Sequence, residues 1–212
     1  MKTLKKVGFI IFYGVLGFIV LPPFVSFPKT IFSTPIPCFD RFYPQYQEAN
    51  VRLGANLARD LKLVINKKER KLFVLKGGKP WKVYTVALSQ IPYGDKTRKG
   101  DKRTPEGEFY VSKKNPRSKY YLALELSYPS IKHAEKGLKA GLISEKEYLA
   151  IVRSLENGKT PPQDTRLGGY ICIHGGGNGK NWTDGCIALK NKDISELYRI
   201  VKVGTPVVIL PR

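Results

Sequence analysis

Beyond residue 60 the chain is a series of short apolar runs. They alternate with polar residues or stay wholly apolar, and they are rich in β-branched and aromatic types, as strands are. Leu61–Asn66 and Lys71–Lys76 flank a charged turn, and residues 81–88 follow Gly77-Gly78. Residues 107–112, 121–127, 170–174, 185–189 and 206–210 continue the pattern. Helical spacing interrupts it twice. Ser144-Glu145-Lys146-Glu147 has the form of a capping box and opens an amphipathic run through Tyr148, Ile151, Val152 and Leu155, closed by Asn157-Gly158. Residues 193–201 bring Ile194, Leu197 and Val201 to one face, with Gly204 after the end. These elements predict a mainly β fold, a mixed β-sandwich or barrel with a helical insertion.

The first 60 residues have a different texture. Lys2, Lys5 and Lys6 precede 22 residues, 7–28, that carry no charge. At ~1.5 Å per helical residue such a stretch spans a hydrocarbon core of ~30 Å. A secretory signal peptide has the same layout. No small-x-small cleavage site follows, since Phe24 occupies a position that should be small, and an uncleaved signal anchor is the favoured reading. Six of the fifteen prolines fall between Pro22 and Pro44, which reads as an extended tether. Val51, Leu53, Leu57 and Leu61 then suggest a short helix. The expected division is a membrane-spanning or signal segment at 1–28, a proline-rich tether and short helix at 29–60, and the main domain at 61–212.

Charge narrows the partners. Lys plus Arg number 37 against 17 Asp plus Glu, a formal net charge of +20. This favours an anionic partner, whether nucleic acid, anionic lipid or acidic polymer. No RRM, KH or helix-turn-helix signature accompanies it, so nucleic acid is not expected. Cys38, Cys172 and Cys186 have no metal-type spacing, and with only His133 and His174 beside them no zinc site and no cofactor is expected. No phosphate-binding loop motif occurs.

The chemistry concentrates in residues 168–189. His174 ends an apolar strand, the glycine-rich loop 175–179 follows, and Cys186 opens the next apolar strand. A cysteine nucleophile needs a base and backbone N–H groups for an oxyanion, and glycines let backbone approach a substrate closely. Strand-end His174 and turn-borne Cys186 suit such a site. Cys172, flanked by Ile171 and Ile173, reads as a small buried hydrophobe. His133 lies in a polar segment and reads as a solvated or capping residue.

At these residues the sequence resembles the L,D-transpeptidase catalytic domain family, also called YkuD. The resemblance runs from about Leu61 to Pro211 and rests on three blocks: Lys99-Gly-Asp-Lys-Arg-Thr-Pro-Glu-Gly-Glu-Phe109, Leu126-Ser-Tyr-Pro129, and Ile173-His-Gly175 with Trp182-Thr-Asp-Gly-Cys-Ile-Ala-Leu189. It implies an exported, mainly β enzyme acting on peptidoglycan stem peptides, with Cys186 as nucleophile and His174 as the motif histidine. Substrate contacts are implied at Gly175, Gly176, Trp182, Thr183 and Gly185. The chain departs from many members by carrying Asp184 where they have histidine, and Ala188 where they have arginine. It is similar to a branch with a "WTxGCIA" nucleophile block. His174 is then expected to be the base, and Asp184 either to orient it or to hold the turn. The implied reaction is acyl transfer through a thioester. Hydrolysis of the same substrates, or wall binding by a decayed site, remain the alternatives. The implied place is the cell envelope, anchored in the inner membrane with the catalytic domain outside the cytoplasm.

Overall fold

The computed structural model describes residues 61–211. The expectations for residues 1–60, membrane segment and tether alike, lie outside the described residues. Among the described residues no helix is long and apolar enough to cross a membrane.

Among the described residues eight strands form one mixed sheet in the order β3-β2-β1-β8-β4-β5-β6-β7. They are β1 (Leu61–Asn66), β2 (Lys71–Lys76), β3 (Lys79–Thr85), β4 (Gly107–Ser118), β5 (Tyr121–Leu126), β6 (Cys172–His174), β7 (Ile187–Ala188) and β8 (Pro206–Leu210). Central strands β1 and β8 pair in parallel and are buried almost throughout, which is why both read as nearly unbroken apolar runs. Strand β3 lies at the edge and is largely exposed, with Lys79 and Lys82 on it, a composition that discourages pairing with another chain.

Strand β4 joins the two halves of the sheet. Its first residues, Gly107 to Tyr110, pair with β8, and its later ones pair with β5. The register shifts after Val111 and again after Asn115, where Pro116 has no N–H to contribute. These irregularities bend the sheet. Its far edge returns toward the chain leaving β3, because Ala87 and Ala188 exchange both backbone hydrogen bonds at 2.8 Å. The main core lies inside this curl. Phe109, Leu124, Ile173, Ile187, Ile194 and Leu197 all belong to it.

The described residues hold three helices, α1 (Ile131–Lys139), α2 (Glu145–Glu156) and α3 (Asn191–Ile200); α3 packs on the sheet at β5, and α1 and α2 pack on each other around Ala134, Ile151 and Leu167. The expected capping box of α2 is present in both directions. Helix α1 was not expected from the sequence. It buries only His133, Ala134 and Gly137, a face too small to leave an apolar stripe. A Cβ on Gly137 would sit 2.7 Å from Leu167, so glycine is what lets this helix close on its neighbour.

Of the two sequence readings of His133, solvated or capping, the first is corrected, for the residue is 3% exposed. Its Nε2 lies 2.9 Å from the Asp95 carboxylate, which can only accept, so that nitrogen carries the proton. Its Nδ1 lies 2.6 Å from Ser130 Oγ. Asp95 also pairs with Lys132 at 2.8 Å and accepts the N–H of Glu106. Burial opposes ionisation of this carboxyl, but the hydrogen bond and charge of His133, with Lys132, hold it well below the usual carboxylate range.

The long connection between β3 and β4 has no regular structure, and buried charge fixes it. Lys67 is completely buried, and its ammonium donates to the carbonyls of Gly94 (2.8 Å) and Thr104 (3.1 Å) and to Glu106 Oε1 (2.7 Å). Lys96 pairs with Asp101 at 2.7 Å, and Asp101 also accepts three backbone N–H groups, of Thr97, Arg98 and Arg103.

Removing one member of a buried ion pair strands the other and typically costs ~3–5 kcal/mol. Lys67→Met should therefore lower the unfolding free energy by an amount in that range, read as a lower urea midpoint with the slope unchanged. Lys82→Met, which breaks the exposed pair with Glu196, should leave the midpoint nearly where it was. Equal effects of the two substitutions would show that Lys67 does not pin the connection.

Candidate active site

Strands β6 and β7 run parallel, with Ile173 opposite Ile187 and His174 opposite Ala188. Carried back one residue, this register sets Cys172 opposite Cys186. Period-2 alternation then puts Cys172 and His174 on one face and the core residues Ile171 and Ile173 on the other. Cys186 lies diagonally across from His174, within side-chain reach. The fold thus brings together the two residues the sequence singled out.

The imidazole is tightly held. His174 is 2% exposed. Its Nδ1 lies 2.7 Å from the Gly175 carbonyl, which can only accept, so Nδ1 carries the proton and Nε2 is left to exchange one with Cys186. Tyr120 stacks on the ring at 4.5 Å with planes 22° apart, and Trp182 meets it edge-on at 5.6 Å. The orienting role open to Asp184 is therefore filled by a backbone carbonyl, and Asp184 itself is exposed on the turn. Tyr120, at the β4–β5 turn, gave no sequence signal, since neighbouring tyrosines at a turn are commonplace.

Cys172 is not the inert buried hydrophobe the sequence suggested. It is half-buried beside Cys186, and its N–H donates to Cys186 Sγ at 3.4 Å. The Tyr170 carbonyl lies 3.4 Å from both sulfurs. Tyr170 adopts a left-handed φ of 56°, held by its N–H to Gln163 Oε1 at 2.6 Å and its hydroxyl to Asp164. The Cys172 thiol, the hydrogen bond and charge of His174, and the Cys172 N–H hold Cys186 well below the ordinary thiol range, against the opposing effect of burial. The same contact pushes Cys172 up, so the thiolate belongs to Cys186 and the proton stays on Cys172. The alternation of residues 172 and 174 on one strand was the available clue to Cys172.

The turn carrying Cys186 is sewn down on both sides. Thr183 Oγ1 donates to the Cys186 carbonyl at 2.7 Å and accepts the Gly185 N–H at 3.4 Å. The N–H groups of Trp182 and Thr183 donate to the Leu88 carbonyl, and Asn181 Oδ1 accepts the Leu88 N–H. Gly185 has φ 135°, and a Cβ there would approach the Arg103 carbonyl to 2.9 Å. Gly175 is required for a similar reason, because a Cβ would lie 2.6 Å from both Asn191 Oδ1 and the Tyr120 carbonyl. The N–H of Gly175 already bonds Leu122 and that of Gly176 bonds Asn191; Gly175 lets the chain pack on itself, whereas Gly176 serves a left-handed φ of 78°. Trp182 walls the imidazole, and Thr183 is buried within the turn.

Alkylation by iodoacetamide follows the thiolate fraction. With its pKa depressed, Cys186 should alkylate at nearly its plateau rate at neutral pH and slow only in acid, whereas an ordinary thiol titrates near ~8.5. His174→Ala should move the midpoint upward. Mass mapping of the Cys186 peptide across a pH series checks both, and an ordinary midpoint in the folded protein would contradict the assignment.

No curated protein matches the chain. Among solved structures it is similar to the helical cell shape determining protein Pgp2 from Campylobacter jejuni, at 22% identity and a TM-score of 0.46 over 71% of this chain and 47% of that one. It is similar to an L,D-transpeptidase from Mycobacterium smegmatis at 12% identity and a TM-score of 0.41, over 71% and 58% of the two chains. Bd1075 from Bdellovibrio bacteriovorus matches at 21% identity and a TM-score of 0.46, over 71% and 48%. The chain spans about half the length of these structures. The family model of the L,D-transpeptidase catalytic domain, YkuD, matches residues 60–209, from the start of β1 to within one residue of the end of β8. The chain belongs to the L,D-transpeptidase catalytic domain family, YkuD.

Proposed function

We propose that the protein is a cysteine-dependent acyltransferase that acts on peptidoglycan stem peptides through a thioester. The observation that carries this reading is the polarity of the pair: the Cys186 thiol is held below its ordinary range, beside an imidazole whose Nδ1–H is committed to the Gly175 carbonyl. On this reading His174 Nε2 receives the proton that Cys186 gives up. The thiolate attacks a stem-peptide carbonyl next to a diamino acid, forming the S–C bond. Backbone N–H groups of the turn, that of Cys186 first, receive the oxyanion. The C–N bond then breaks, and His174 Nε2 gives its proton to the leaving amine. In the second half-reaction an acceptor amine attacks the thioester and returns a proton to His174 as the Cys186 thiolate leaves. Water in the acceptor's place makes the same site a hydrolase.

The basic lining near the site supports an acidic substrate. A cavity of about 590 Å³ is lined by Arg98, Lys102 and Arg103, with Asp101 as its one acid and apolar residues such as Ile91 and Leu142, and the Arg103 carbonyl abuts Gly185 of the nucleophile turn. A stem-peptide carboxylate would be attracted there.

Muropeptides incubated with the protein, followed by mass analysis, test the reading. A cross-linked or exchanged product identifies transfer, a shortened stem identifies hydrolysis, and no product overturns both. Cys186→Ser should abolish the acyl-enzyme seen by intact mass. His174→Ala should lower the rate by ~10²–10⁴, the usual share of acid–base catalysis. Full activity in His174→Ala would move the base elsewhere.

We further place the protein in the cell envelope, held in the membrane by residues 7–28. It should then stay with membranes in high salt and leave in detergent, because burial of an apolar span is not screened by ions. Release by salt alone would show that basic surface, rather than a span, holds it.

A further inference from the structure

The geometry points to a dithiol: we propose that Cys172 and Cys186 close to a reversible disulfide when the site meets a hydroperoxide, so that Cys172 protects the nucleophile from irreversible oxidation. Three observations place the sulfurs together. The β6–β7 register sets the two residues opposite each other, and neighbouring strands lie ~4.7–4.9 Å apart, inside the Cα range of ~4.4–6.8 Å that a disulfide spans. The Cys172 N–H reaches Cys186 Sγ at 3.4 Å. The Tyr170 carbonyl stands 3.4 Å from each sulfur. Both thiols are free and only half-buried, so a small oxidant reaches them.

The chemistry divides between the two residues. A thiolate attacks a peroxide, and a neighbouring thiol that gives up its proton as it attacks resolves the product. The Cys186 thiolate attacks one peroxide oxygen, the O–O bond breaks, and alkoxide or hydroxide leaves, taking a proton from solvent to become alcohol or water, as Cys186 becomes a sulfenic acid. The Cys172 sulfur then attacks the Cys186 sulfur, the S–O bond breaks, the S–S bond forms, and the Cys172 proton leaves with hydroxide as water. The protein has lost two electrons, and the peroxide has gained them. A dithiol reductant returns both thiols and is itself oxidised to a disulfide. In the closed form Cys186 has no lone thiolate and cannot take an acyl group. A nucleophile of depressed pKa is the thiol most exposed to this damage, and the residue facing it is the one able to limit it.

The test reads sulfur chemistry directly, so it does not depend on the acyl-transfer reading. The full chain is treated with hydrogen peroxide, blocked with iodoacetamide and mapped by mass. A peptide pair joined through Cys172 and Cys186 is expected, with full Cys186 alkylation restored by dithiothreitol. In Cys172→Ser the hydroxyl still donates a hydrogen bond to the thiolate but cannot form the bond. That variant should accumulate sulfenic acid, trapped by dimedone, and then sulfinic acid that dithiothreitol does not reverse. Cys172→Ala should behave the same way. Linkage through Cys38 instead, absence of the 172–186 pair in the wild type, or equal recovery in wild type and both variants would overturn the proposal.

Discussion

The site depends on the in-register pairing of β6 with β7, two strands of three and two residues. A ladder this short cannot support itself, and its neighbours hold it in place. On one side β5 pairs with β6 from Ala123 to Glu125. On the other, Ala87 pairs with Ala188 through two backbone hydrogen bonds. Just beyond β7, the Leu189 N–H donates to the His174 carbonyl at 2.8 Å. A slip of one residue would turn Cys186 toward the core and Ile187 toward solvent, exchanging a titratable group for an apolar one on both faces. Burial of Ile173 and Ile187, both 0% exposed, thus fixes the register of Cys186 against His174 through the hydrophobic effect rather than through the polar groups of the candidate site.

The remaining wall is built from irregular chain, where backbone groups have no ladder to satisfy them. Here buried charge substitutes for secondary structure. Lys67 gathers two carbonyls and Glu106, Asp101 collects three backbone N–H groups and Lys96, and Asp95 ties the connection to His133 on α1. The effect reaches the turn that carries Cys186 by contact. Arg103, whose N–H is bound by Asp101, sets its carbonyl against Gly185, and Thr104 Oγ1 donates to Ser89 Oγ at 3.3 Å beside the Thr183 bridge. The block Lys99 to Phe109, which carried the family resemblance, is in these terms a scaffold that positions the turn.

Strands with a strong apolar pattern were legible. The bounds expected for β1, β2 and β8 are those observed. Strand β4 runs on to Ser118 past Lys113, Lys114 and Pro116, a polar stretch that masks it, because Lys114 turns away to donate to the Tyr198 and Val201 carbonyls at the end of α3. Helix α1 was hidden because its inner face is His133, Ala134 and Gly137. In the site, Cys186 and His174 could be read from strand ends and glycines. What packs on them could not: Tyr120 comes from another turn, and the Gly175 carbonyl that sets the tautomer leaves no mark in any side chain.

A backbone carbonyl, rather than a carboxylate, orients His174, and this choice has a physical rationale. When a neutral hydroxyl is the nucleophile, the imidazolium that forms must be stabilised from outside the pair. On the proposed reading the nucleophile is Cys186, a thiol held below its ordinary range in part by the hydrogen bond and charge of His174, so the pair itself supplies the stabilisation. The ring then needs only orientation, which a neutral carbonyl supplies together with the faces of Tyr120 and Trp182. A carboxylate facing the sulfur would instead oppose the thiolate. Asp184, the residue nearest in sequence that could do so, is exposed, where water and salt screen it. Aspartate at position 184, two residues before Cys186, is therefore compatible with a thiolate there, because the charge stays in solvent while the turn is closed by Thr183.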